Sequence, residues 1–530
     1  MRLITSFLAA ACSAVLLSIG IPNEWYHFGS AFFGILALIP LYVGLYYTRS
    51  CKEAGIMCGI MIALTHLISS YWLVHFQDFA IFTLGASTVA YFFLGIPFGI
   101  WLYYAMHRLP ANLRPFAFAV IWTLWEWFKS NGFVAYPWGT LTMTSQSLRT
   151  FIQIADITGV WGIGATIAAV SALLAELVLA VMGLTDGLST PHGCPLKGAL
   201  IFTAGLLLLS NVYGLYRLHE TRVPENTLQL AIIQQNTDPW VTDAFDTNLS
   251  DIQNLTEQTI AQSETPPDLI VWSETTLIYP YNVSQSFYAR VPFKESFTEF
   301  LERMNTPLLT GSPLVKNSEL QESENAVYLI EPDGTINDTY SKMQLVCFAE
   351  YIPFIEHPIV KKFFNKLVGF SSGWQPGTEY KAFTLTTKEG KRIRFAAPIC
   401  FEDAFPPLCA RLHNQKSDIL INLTNDSWSK TPSAEYQHFA IAFFRAIELR
   451  TPLVRATNSG YSAVVGPTGK IIADLPLFTA TGTVVEVPLY AHRTTFYAQW
   501  QDWLPFLFLV IALAGMFSYW KNMKKQSFAA

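Results

Sequence analysis

Two regimes of hydrophobic patterning divide this chain. Up to about residue 216 apolar positions run almost unbroken, from 217 to about 490 they fall in short clusters between polar residues, and from 503 to 520 the unbroken character returns. A helix rises 1.5 Å per residue against a bilayer core of about 30 Å, so about 20 apolar residues are needed to cross it. Runs near 4–22, 28–48, 53–74, 81–105, 115–129, 157–182, 198–216 and 503–520 predict eight membrane helices, the fifth the shortest. Proline and glycine interrupt several, which neighbouring helices can accommodate by covering the freed backbone groups. The first run follows only Arg2 and is succeeded at once by another span, so it reads as an uncleaved helix rather than a signal peptide. The division is a seven-helix membrane domain over 1–216, a soluble domain over 217–490, and a last helix with a short tail over 491–530.

Inside the soluble region the period shortens to that of strands. Segments 228–235, 268–272, 306–310, 326–331, 392–399, 418–423, 453–457, 462–465, 470–473 and 482–487 read as strands, and 244–262 and 436–449 as helices. The turn Pro332-Asp333-Gly334 follows one strand, and Gly466-Pro467-Thr468-Gly469 joins two others. Strands outnumber helices, so an α/β domain with helices on the outer faces of sheets is expected.

Composition and charge narrow the function. Hydrophobic residues make up 51% and charged residues 14%, and the net charge of −5 offers no basic face to nucleic acid. With the N-terminus inside, Arg2, Arg49, Lys52, Arg108, Arg114, Lys197, Lys521, Lys524 and Lys525 fall on the cytoplasmic side, while the short outer loops carry little beyond Lys129 and Arg149. Both termini are then cytoplasmic and the soluble domain lies outside. Of seven cysteines, Cys12, Cys51 and Cys58 fall in or beside spans and Cys194 in an inner loop, leaving Cys347, Cys400 and Cys409 in the soluble region. An odd number without metal-like spacing predicts neither a disulfide framework nor a metal site. An unpaired thiol in an oxidising compartment points to one kept for use.

Three residues stand where chemistry needs them. Cys400 ends a strand just before Glu402-Asp403, where a strand-to-helix turn would lift a nucleophile above the sheet edge, although a free cysteine also serves as a small core residue. Glu274 follows Ile-Val-Trp-Ser. It is either a base whose pKa burial raises or a capping or surface carboxylate. Lys342 is either an ammonium supporting a thiolate and an oxyanion or an exposed strand-edge charge. Cys409 reads as packing. Glu126, at the outer end of the fifth span, reads as interfacial with a headgroup contact.

The order of these residues and their flanks resemble the carbon–nitrogen hydrolase (nitrilase) superfamily and, with the spans on either side, the apolipoprotein N-acyltransferase family. The motifs are Val-Trp-Ser-Glu (271–274), Tyr-Ser-Lys-Met-Gln-Leu-Val-Cys-Phe-Ala-Glu-Tyr-Ile-Pro-Phe (340–354), Ile-Cys-Phe-Glu (399–402), Asn-Leu-Thr-Asn-Asp-Ser-Trp (422–428), Phe-Arg-Ala-Ile-Glu (444–448) and Arg-Ala-Thr-Asn-Ser-Gly (455–460). Ser273 and Cys347 stand where the family usually has proline, and Phe401 where tyrosine is common. The resemblance implies a nitrilase-like αββα sandwich beside the polytopic membrane domain. It implies Glu274 as base, Lys342 as oxyanion stabiliser and Cys400 as nucleophile, with Glu350 supporting Lys342 and Glu402 shaping the site. Trp240, Phe401 and Trp428 are implied substrate contacts, with domain packing the other reading of Trp428. The implied reaction needs no cofactor. It moves the sn-1 acyl chain of a phospholipid, phosphatidylethanolamine by preference, through a cysteine thioester to the α-amine of a diacylglyceryl apolipoprotein in the bacterial inner membrane, with the catalytic domain in the periplasm. A membrane-anchored amidase and a non-enzymatic lipoprotein binder are the competing readings.

Overall fold

The computed structural model describes residues 2–76, 81–132, 135–184, 196–238, 245–317, 319, 322–355, 357–368 and 373–529. Two compact units are formed: Met1–Val74, Ala80–His219 and Trp500–Ala530 make the first, and Glu220–Gln499 with His75 and Phe76 the second.

The first unit is helical, with a helix at every one of the eight apolar runs. Among the described residues four helices are long and apolar enough to cross a membrane: Cys51–Ser69, Thr83–Arg108, Phe151–Val181 and Lys197–His219. Ile4–Gly20, Ala31–Tyr46 and Trp503–Phe517 are shorter apolar helices, and Arg114–Lys129 has 16 residues. The second run is not one regular helix. It breaks at Leu38 into Ala31–Ala37 and Ile39–Tyr46, with Pro40 in the first turn of the latter, where its missing N–H does no harm. Buried polar groups tie the helices together. The Asp502 carboxylate accepts from Trp127 Nε1 and Trp161 Nε1 (2.9 and 2.8 Å), Arg217 pairs with Asp156 (2.6 Å), and Arg114 pairs with Glu176 (3.3 Å). Glu126 is not interfacial. It is 1% exposed, and Trp122 Nε1 and the Leu141 N–H donate to its Oε1 (3.1 and 2.8 Å), because the turn Leu141–Thr144 folds back onto the helix end.

The second unit holds two six-stranded sheets. The strands are β1 (Asn226–Gln234), β2 (Leu269–Val271), β3 (Leu308–Asn317), β4 (Glu322–Ile330), β5 (Ile336–Ser341), β6 (Phe383–Thr386), β7 (Arg392–Ala396), β8 (Ile419–Thr424), β9 (Leu453–Thr457), β10 (Ala463–Val465), β11 (Ile471–Asp474) and β12 (Thr481–Leu489). Their orders are β12-β1-β2-β3-β4-β5 and β11-β10-β9-β8-β7-β6. In each sheet three central strands run parallel, β1-β2-β3 and β7-β8-β9, flanked by antiparallel neighbours. Ligands favour the carboxyl ends of parallel strands, and those ends carry Glu274 after β2, Cys400 after β7 and Asn425 after β8. The first sheet packs Ile270, Trp272 and Tyr328 against Phe297 and Phe300 of helix Phe297–Met304. Helix Pro432–Leu449 packs by the second sheet and is buried along nearly its whole length. The sheets meet at Gln234, whose Oε1 accepts from Ser462 and Thr457 (2.8 and 3.4 Å). Strands β5 and β6, and helices Tyr281–Tyr288, Phe297–Met304, Pro358–Val368 and Pro406–His413, were not predicted. The edge strand β5 (Ile-Asn-Asp-Thr-Tyr-Ser) shows why: half paired and mostly polar, it lacks the apolar alternation that marks a strand.

Candidate active site

Glu274 is set by a close crossing of backbones. After β2 the chain turns at Ser273, whose carbonyl accepts from Gly311 N–H (3.2 Å) on β3. A Cβ on Gly311 would lie 2.3 Å from Thr275 N and 2.8 Å from the Glu274 Cα, so only glycine lets β3 pass there. Lys342 leaves the end of β5 with its N–H on the Asn325 carbonyl (2.8 Å), and its side chain turns inward to 1% exposure. Cys400 opens a short 3-10 turn, Cys400–Ala404, in the left-handed region at φ 48°. For a residue with a side chain that conformation costs about 1–3 kcal/mol and is typical of functional positions. Asn422 Nδ2 fixes the turn by donating to the Pro398 and Cys400 carbonyls (3.1 Å each).

These elements bring the three side chains together. Lys342 Nζ donates to Glu350 Oε1 (2.8 Å) and lies 3.4 Å from Glu274 Oε1. The Glu274 carboxylate accepts from Asn325 Nδ2 (2.8 Å), from the Asn425 N–H (3.0 Å) and from the Cys400 thiol. Glu350 is held by the Val346 N–H (2.7 Å) and shares the Asn325 amide (3.2 Å). Glu402 clasps two segments. It accepts from Met343 N–H (2.6 Å), Gln344 N–H (3.1 Å), Ile399 N–H (2.8 Å) and the Tyr340 hydroxyl (3.1 Å), so one carboxylate ties the lysine segment to the cysteine turn.

Electrostatics follow from this packing. Burial raises the Glu274 carboxyl above the ordinary glutamate value, against the nearby Lys342 charge, which lowers it. Burial opposes the Lys342 ammonium, but Glu350 and Glu274 outweigh it and hold the group well above the usual lysine value. Burial and the Glu274 charge push the Cys400 thiol well up, with Lys342 acting the other way. The resting site is therefore a thiol beside a strengthened base and a firmly charged ammonium. Burial pushes Glu402 up to about 7, against its backbone N–H donors.

The other expected positions divide. Phe401 is buried edge-to-face on Phe405 (4.8 Å), and Trp428 packs edge-to-face on Phe76 (5.3 Å). Trp240 lies outside the described residues. Cys347 pairs locally with Tyr351, and buried Cys409 donates to the Glu402 carbonyl (3.5 Å). Among the described residues no His, Cys, Asp and Glu cluster could hold a metal ion. Asn325 and the Asn425 N–H escaped the sequence reading. Asn325 lies inside a strand, and a backbone donor leaves no mark on residue type.

Residues 229–495 match the family model of carbon–nitrogen hydrolases, and residues 13–173 that of the apolipoprotein N-acyltransferase N-terminal domain. The chain is 50% identical over 529 residues to apolipoprotein N-acyltransferase 2 of Treponema denticola, with 100% of each chain covered. It is 45% identical to apolipoprotein N-acyltransferase 2 of Treponema pallidum, over 96% of this chain and 93% of that one, and 30% identical to apolipoprotein N-acyltransferase of Borreliella burgdorferi, over 97% of each. With both domain models matched and relatives aligned from end to end, the chain belongs to the apolipoprotein N-acyltransferase family, acyltransferases of lipoprotein N-acylation.

Proposed function

We infer that this chain carries an acyl group on Cys400 between two lipid substrates. Glu274 takes the thiol proton as sulfur attacks the sn-1 ester carbonyl of a phospholipid, phosphatidylethanolamine by preference. Lys342 stabilises the oxyanion, the ester C–O bond breaks, and Glu274 returns the proton to the departing lysophospholipid. The α-amine of the diacylglyceryl-cysteine at an apolipoprotein N-terminus then attacks the thioester. The N–C bond forms, the S–C bond breaks, and the amine proton passes through Glu274 to the thiolate. Glu350 sustains the Lys342 charge. Glu402 holds the lysine and cysteine segments in register, and Trp240, Phe401 and Trp428 contact substrate. A thioester is activated towards amines, so the second step needs no cofactor, provided water is excluded.

The observation that carries this reading is the convergence of a thiol, a raised carboxyl and a buried ammonium from three separate strand ends. The same reading keeps the domain division 1–216, 217–490 and 491–530, eight spans, cytoplasmic termini and a periplasmic catalytic domain in the bacterial inner membrane. Seven spans ahead of the soluble domain exceed what anchoring a hydrolase requires. The test is mass spectrometry of the purified protein incubated with phospholipid: one acyl group should appear on the peptide containing Cys400 and disappear when apolipoprotein is added. Continued acylation of apolipoprotein by Cys400→Ser would overturn both the nucleophile and the mechanism.

A further inference from the structure

Behind the site lies a second buried cluster that the acyl-transfer steps do not use. His438 projects from helix Pro432–Leu449 and is 3% exposed. Its two ring nitrogens each face a carboxylate: Nδ1 meets Asp426 Oδ2 at 2.6 Å and Nε2 meets Asp403 Oδ1 at 2.9 Å. Asp403 belongs to the turn that Cys400 opens, and Asp426 follows Asn425, whose N–H holds Glu274. Arg455, fully buried on β9, pairs with the same two carboxylates, at 3.1 Å to Asp403 and 3.6 Å to Asp426. Buried Glu435, one turn earlier on the same helix, accepts from the Ser429 hydroxyl (3.1 Å).

A neutral imidazole has one N–H donor and one lone pair, so one of the two carboxylates would face a lone pair in a dry interior. Only the imidazolium donates to both. We propose that His438 is held as an imidazolium and acts as a positioning residue, clamping the cysteine turn to the Asn425 loop and cancelling the Asp426 charge next to Cys400. With Arg455 it balances Asp403 and Asp426 two against two. Burial and the Asp426 charge raise the Glu435 carboxyl well above the ordinary value. Burial opposes the His438 charge, but Asp426 and Asp403 overcome it and bring the group up to about 9. Burial and the Glu274 charge raise the Cys400 thiol most, Lys342 opposes them, and Asp426 adds a smaller rise, so whatever neutralises Asp426 eases thiolate formation.

This assignment rests on Cys400 as the nucleophile, and its readout is chosen to stand apart from acyl transfer. The full-length protein in detergent is alkylated with iodoacetamide at about pH 7, 8 and 9, below the raised Cys400 titration, where the rate follows the thiolate fraction, and the Cys400 peptide is quantified by mass spectrometry. His438→Gln should slow Cys400 alkylation about tenfold, the rate equivalent of the roughly one pH unit by which an uncompensated neighbouring charge shifts a thiol. Asp426→Asn should speed it, and the double variant should return most of the way to wild type. Melting curves establish that each variant is folded. An unchanged rate in folded His438→Gln overturns the proposal, as does an unchanged rate in Asp426→Asn if His438→Gln does not fold. Failure of the nucleophile assignment is seen separately, as acyl transfer surviving in Cys400→Ser.

Discussion

At the residue scale, the site depends on one neutral amide. Asn325 Nδ2 donates to both Glu274 and Glu350 and so separates two carboxylates that share one ammonium. Removing it leaves buried Glu274 and partly buried Glu350 each short of a donor, a loss of about 1–3 kcal/mol at the buried carboxylate. Asn325→Leu should therefore slow thioester formation about tenfold or more, since ~1.4 kcal/mol is a factor of ten, as read by the rate of acyl mass appearing on Cys400. Asn325→Asp should be worse, because a third carboxylate would crowd the same ammonium. A rate within twofold of wild type in Asn325→Leu would remove Asn325 from the site.

At the element scale, position is set by strand ends and by what holds them. The Glu402 carboxylate joins the segment after β5 to the turn after β7, two pieces of chain from different sheets. Gly311 lets β3 run against the Glu274 backbone. A methyl group there meets backbone rather than a movable side chain, and overpacking of that kind costs about 1–3 kcal/mol. Gly311→Ala should lower the melting temperature and slow thioester formation together, since the strain falls on the segment bearing the base. Wild-type values of both would show that the close crossing is dispensable.

The cluster around His438 adds a pH signature to the fold. Its folded pKa is raised to about 9 from an unfolded value near 6.5. The stability it contributes is fully present below about pH 6.5 and is lost as pH rises through about 9. Urea unfolding at pH 6.5 and pH 9.5 should show the loss, and His438→Gln should flatten it.

At the scale of the whole molecule, a long apolar region and a mixed α/β region share one chain, and the proposed topology puts the catalytic domain in the periplasm and both termini in the cytoplasm. Alkaline phosphatase, which needs disulfides to fold, should be active when fused after residue 300, and a green fluorescent protein fused at the C-terminus should fluoresce. The reverse pattern would invert the proposed topology.

Much of this was legible in the sequence because it depends on local pattern. The apolar runs marked helices, since length and hydropathy suffice, and β9 falls at the residues its pattern predicted. Cys400, Glu274 and Lys342 stood out by residue type and by their flanking motifs. What the tertiary structure decided is which groups meet across long separations. The burial of Glu126, the sharing of Asn325 between two glutamates, the Glu402 clasp and the placement of His438 between two aspartates all join segments distant in sequence or set by folded-back loops. Periodicity reports which face of an element is buried; it carries no record of what lies opposite that face. The sequence thus determined the apolar helices, the strongly patterned strands and the reactive residue types, while packing decided the polar edge strands, the short helices, the partners of the reactive groups and their charge states, because desolvation and Coulomb interaction depend on distances that only the folded chain defines.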